Sequence, residues 1–236
     1  MLTTHLARIA LSAHSPGGAR ETSCLRRIDA NRRTTMSKLR TALFAAVSAM
    51  TLLGAGSAGA STFQVWDSAI SNWSSNGVTH FTGPTSASYV GISIPCNADI
   101  TVSVVAGVAT VTNATFSGST ACSGIVPYFL PWAVTAAPYT GGNPPFAGAP
   151  TLSPVLSSIT ISGIKLYLPP PININCPGTT GSITAVLDVT DQLGAPPAAP
   201  TPNRLAFKGN LGPCAVQTRT STAPNSLVAN PAVRIL

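Results

Sequence analysis

Chemistry at neutral pH needs side chains that exchange protons, attack as nucleophiles or hold metal ions. Beyond residue 60 this chain has few: one histidine, His80, four aspartates (Asp67, Asp99, Asp188, Asp191) and no glutamate. No Gly-x-Ser-x-Gly elbow, glycine-rich phosphate loop or carboxylate pair with a basic partner on one strand face accompanies them. His80, in Gly77-Val78-Thr79-His80-Phe81, reads as a turn or edge-strand imidazole with its ring partly exposed. Asp188 and Asp191 fall short of the six or more oxygens that calcium takes, and Asp191 reads as a turn cap. The expectation is a protein that is not an enzyme and uses no cofactor or metal.

Cysteine is the exception to this poverty. Cys24 lies near the N-terminus, and four cysteines follow: Cys96, Cys122, Cys176 and Cys214. An even set in an exported chain predicts two disulfides, while zinc is disfavoured because no pair has metal-ligand spacing. Four cysteines allow three pairings. Related punctuation, Phe116-Ser117-Gly118 before Cys122 and Phe207-Lys208-Gly209 before Cys214, suggests the nearest-neighbour bridges Cys96–Cys122 and Cys176–Cys214.

Trp66, Trp73 and Phe81 precede the first of these cysteines. Exposed, the three rings could stack on sugars or lie on an apolar interface, since aromatics combine large contact area with low entropy cost. Buried, the two tryptophans would close one end of the fold, which is the commoner fate of such rings. Trp132, beside Tyr128 and Phe129, is expected to be buried.

The elements that must position these residues read as strands. Ile183, Ala185, Leu187 and Val189 alternate with Ser182, Thr184, Val186, Asp188 and Thr190, and Ile100, Val102 and Val104 alternate with Thr101 and Ser103. Period-two alternation places one sheet face on a core and the other in water. In Ile159 to Leu168 the alternation slips by one residue at Gly163, the signature of a β-bulge. Further strands are predicted over 88–94, 107–116, 204–209, 215–218 and 227–235. Pro169-Pro170-Pro171 ends the strand before it, and long proline-rich loops are expected over 136–154 and 194–202. The predicted fold is a single all-β, antiparallel sandwich-like domain over residues 61–236 with long Pro/Gly-rich loops.

Charge divides the chain at the same boundary. Of 13 Lys and Arg, eight lie in residues 1–60 against Glu21 and Asp29, whereas the remainder carries five cations and four anions. No clustered basic face exists there, so nucleic acid is not an expected partner. Met36 begins a three-part export signal: Lys38 and Arg40, the apolar run from Ala42 to Leu53, then Ala58-Gly59-Ala60 as a cleavage site. A dozen apolar residues is too short for a transmembrane anchor, so residues 36–60 are expected to be removed. Residues 1–35 read as a disordered extension upstream of the true start.

Ala114-Thr115-Phe116-Ser117-Gly118-Ser119 with Cys122, Leu130-Pro131-Trp132, Thr160-Ile161-Ser162-Gly163-Ile164 and Ile94-Pro95-Cys96 resemble the bacterial family called protein activator of alkane oxidation. The resemblance covers about residues 88–236, with Cys176, Cys214 and the closing apolar stretch in the expected order. It implies a small secreted protein of Gram-negative bacteria, associated with growth on hydrocarbons, surface activity and the biofilm matrix, and it brings no catalytic residues. Two expectations follow. One is a surface-active protein that meets hydrocarbon droplets or the cell surface, favoured by the scarcity of charge. The other is a matrix or adhesin-like module that binds polysaccharide or associates with itself through strand edges.

Overall fold

The computed structural model describes residues 61–189 and 200–236. The stretches expected to be an extension and an export signal, Asp191 and most of the proline-rich stretch after residue 193 lie outside the described residues.

Four long strands dominate the first half of the chain and the centre: β3 (Gly77–Tyr89), β4 (Ile92–Val105), β5 (Val108–Ser117) and, after a short β7 (Trp132–Pro138), β8 (Leu156–Leu168). They hydrogen-bond in that order, each antiparallel to the next. The ring continues through β9 (Ile174–Asp188) and β10 (Arg204–Leu211). Its last position is shared end to end by β12 (Leu227–Asn230) and β11 (Cys214–Thr218), both of which pair with β10 on one side and β3 on the other. The result is a closed eight-stranded antiparallel barrel.

The expected sandwich is therefore corrected to a barrel. Alternation reports that each strand has one apolar face, and that holds equally for two packed sheets and for one sheet rolled up. Closure comes from local curvature. The β4–β5 register slips between Thr101 and Val102, β8 is bulged at Gly163 (φ 88°), and β3 turns at Gly83 (φ 149°). Bulges and glycine kinks bend long strands and increase their twist. At Gly83 a side chain would press on the Ser226 carbonyl and on Leu227, so close packing of β3 against β12 requires glycine there.

The alternation maps onto the barrel as expected. Ile183, Ala185 and Leu187 are buried and Ser182 and Thr184 are exposed; Val102, Val104, Val111, Ile159 and Ile161 fill the same bore. Beyond the bulge, Ile164, Leu166 and Leu168 return to the interior. Val186 faces outward yet is buried, because the loop over 139–155 folds back and packs Leu152 against it and Ala206. An apolar bore with a Ser/Thr-bearing exterior is the reverse of a lipid-facing barrel. Among the described residues no helix is long and apolar enough to cross a membrane.

Three strand expectations change. The stretch 88–94 contains the β3–β4 hairpin turn at Val90-Gly91, and 227–235 is two strands in different sheets, β12 and β13 (Val233–Ile235). His80 lies within β3 and pairs across to β4 and β12, so it is not at an edge.

The ends of the barrel are covered differently. A separate sheet of β13, β1 (Phe63–Asp67) and β2 (Asn72–Ser74) covers the end carrying the β4–β5 turn. Phe63 N–H donates to the Gly107 carbonyl at 2.9 Å, and Phe63 and Val65 join the main core. The opposite end holds the short α1 (Thr120–Ser123), N-capped by Ser119, and β6 (Val126–Tyr128), which pairs with β8 past the bulge. Disulfides Cys96–Cys122 and Cys176–Cys214 fasten α1 to β4 and β9 to β11. Both are the nearest-neighbour pairs.

Candidate functional site

Trp66 and Trp73 face each other across the β1–β2 pair, with ring centroids 5.4 Å apart in edge-to-face geometry. Both are buried, with Ala232 as their companion. The Arg234 guanidinium lies 5.0 Å from the Trp73 ring centroid, and its Nε donates to Gln64 Oε1 at 2.6 Å. Desolvation lowers the Arg234 pKa from its ordinary value. Phe81 points into the bore and is buried there. None of the three rings is exposed, so the stacking platform considered from sequence is corrected: Phe81 belongs to the main core, while Trp66 and Trp73 form a separate buried pair with Ala232 on the face of the small sheet opposite Phe63 and Val65, where Arg234 lies over the Trp73 ring.

His80 and Asp99 meet on the outer face, Nδ1 to Oδ1 2.9 Å, both well exposed. Beside them Thr82, Asn97, Thr115 and Ser117 border an open groove of about 350 Å³. The pair is an acid–imidazole contact with no nucleophile held against it among the described residues. Asp188 is spent structurally: its Oδ1 accepts the Arg204 backbone N–H at 2.6 Å and its Oδ2 lies 3.3 Å from Arg204 Nε. Among the described residues no group of three His, Cys, Asp or Glu could hold a metal ion.

The unusual chemistry of the surface is apolar. In the β3–β4 turn, Val90 (φ 47°) and Gly91 (φ 78°) are both left-handed, the two-residue geometry that normally selects Asn-Gly or Asp-Gly. Valine in that region is a genuine outlier, because its branched Cβ crowds the backbone. Yet Val90 is 80% exposed and gains nothing from the core. Ile92, next in the hairpin, is also exposed. Phe129 repeats the combination, with φ 59° and 65% exposure, and the Lys165 ammonium lies 5.4 Å from its ring centroid.

A second apolar tip occupies the β4–β5 turn, again with two left-handed residues, Ala106 and Gly107. Val105 and Val108 are directly opposed across the strands and both exposed. Val78 lies diagonally on the same outer face, since it pairs with Ser103, two residues before Val105. Sequence reasoning missed these residues by reading Val90 and Ile92 as one continuous strand. The available signal was the glycine at position two of a turn, Val-Gly and Ala-Gly, flanked by the strand-favouring residues Tyr89 and Ile92 or Val105 and Val108.

Comparison with family models, with curated proteins and with solved structures returns no match for this chain.

Proposed function

We propose that this is an exported, non-enzymatic protein that works where water meets an apolar phase, assisting hydrocarbon uptake or emulsification at the cell surface as the activators of alkane oxidation it resembles are associated with doing. The observation that carries the reading is Val90. A valine 80% exposed and held at positive φ weakens the folded state twice, through hydrated apolar surface and through backbone strain. Strain of this kind clusters where a residue is kept for contact and not for folding.

The barrel supplies what such a role needs. A disulfide-fastened, hydrogen-bonded ring can keep its fold while its tips meet an apolar phase, because nearly every long strand is paired on both sides. Two disulfides also accord with an oxidising compartment outside the cytoplasm. Few charges need desolvation when the surface lies against oil.

The test is the dynamic interfacial tension of hexadecane against buffer, with the oxidised protein at micromolar concentration. A fall in tension that is blunted by Val90→Asn combined with Ile92→Thr supports the reading; an unchanged tension with the unsubstituted protein overturns it.

A second reading, a biofilm-matrix or adhesin-like module, draws on the outer groove at Thr82, Asn97, Asp99, Thr115 and Ser117, whose hydroxyl, amide and carboxylate groups could hydrogen-bond a polysaccharide. Binding to exopolysaccharide that Asp99→Ala abolishes would favour it over the interfacial role.

A further inference from the structure

The bore of the barrel is not completely filled. Two cavities lie along it, of about 70 and about 30 Å³. The larger occupies the disulfide-fastened end, walled by Ala114, Ile125, Trp132, Ile164, Leu166 and Phe207. The smaller lies toward the three-stranded sheet, between Phe63, Phe81, Val104 and Leu187. Ile100 and Ile161 line both and form the waist between them.

Protein interiors rarely leave voids larger than a water molecule, so a space of this size needs a content. Water fits poorly here. A buried water needs two to four polar partners, and Thr85 and Ser86 are the only residues with polar side chains beside Trp132 in the larger wall. The one polar atom of Trp132 is already committed, its indole N–H donating to the Tyr128 carbonyl at 2.8 Å. An apolar cavity of about 150 Å³ stays dry and binds benzene or xenon. A cavity of roughly half that volume is too small for a ring and large enough for a compact apolar molecule.

We infer that the larger cavity, between Ala114, Trp132, Ile164 and Leu166, is a binding site for a small apolar molecule of the size of xenon or a two- to three-carbon hydrocarbon. The site is independent of the interfacial reading: it lies inside the barrel and uses none of the exposed turn residues. Ile100 and Ile161, which line both cavities, bound the site on the side of the second one.

The probe is xenon, applied under pressure to the full oxidised protein with labelled isoleucine methyl groups and read by two-dimensional NMR. Saturable shifts are expected at Ile161, Ile164 and Ile183, which line the site, and not at the exposed Ile70 and Ile92. Ala114→Leu, which pushes a side chain into the cavity, is expected to weaken xenon binding at least about tenfold. Ile161→Ala joins the two cavities and is expected to create benzene binding that the parent protein lacks. Absence of saturable shifts in the parent protein, or equal shifts at Ile70 and Ile92, overturns the inference. Because that result is read on the unsubstituted chain, it stands even where a variant fails to fold.

Discussion

Replacing Val90 by asparagine is expected to stabilise the fold and weaken its surface activity at once. The left-handed region costs an ordinary L-residue about 1–2 kcal/mol, and asparagine offsets part of this by local hydrogen bonding. Val90 is 80% exposed, so its removal forfeits almost no core burial. A net gain of about 1 kcal/mol follows, which corresponds to about 2–4 °C in Tm for a domain of this size. Adsorption should move the other way. Fully burying a valine side chain is worth about 1.5–3 kcal/mol, so transfer of this exposed side chain to oil contributes on the order of 1–2 kcal/mol. Its loss weakens adsorption about tenfold at that tip. Thermal unfolding of the oxidised protein and hexadecane–buffer tension, measured on one preparation of each variant, read both effects. A lower Tm would refute the strain argument, and a higher Tm with an unchanged tension curve would refute the functional one.

Reduction should be severe, because bridges closing segments of 26 and 38 residues are each worth about 3.5–4 kcal/mol on the chain-entropy model; urea titrations of Cys96→Ala/Cys122→Ala and of Cys176→Ala/Cys214→Ala check each separately. Asp188→Ala strands the Arg204 backbone N–H and is expected to cost about 1–3 kcal/mol in the urea midpoint, with no effect on interfacial tension. Trp66→Ala should lower stability by about 3–5 kcal/mol, since the buried ring packs against Trp73 and Ala232; a stable variant that had lost sugar binding would restore the exposed-platform reading. Gly163→Ala forces a side chain into φ 88° and is expected to cost about 1–2 kcal/mol by thermal unfolding.

How the candidate site was legible differs from residue to residue. The scarcity of titratable groups could be counted, whereas the His80–Asp99 contact, made between neighbouring strands by residues 19 apart in sequence, could not be read there. The valine tips were hidden because β-branched residues raise strand propensity and so mask a turn whose backbone disfavours them. For Trp66 and Trp73 burial was the commoner fate to expect, yet an aromatic ring also serves a ligand; Arg234, about 160 residues away in sequence, decides it by covering the ring of Trp73.

The sequence by itself determined which face of each strand is apolar, the bulge at Gly163 and the strand stop at Pro169, and its matching punctuation suggested the disulfide pairs that the structure forms. These are local properties, carried by neighbours one or two residues apart or by a repeated short motif. Tertiary structure alone decided that the sheet closes into a barrel. Closure requires β11 and β12 to return to β3, so that Val228 meets Thr82 and Val216 meets Ala87. Such pairings are set by twist and curvature accumulated over the six intervening strands of the ring, and a period-two pattern takes the same form whether the sheet stays open or rolls shut.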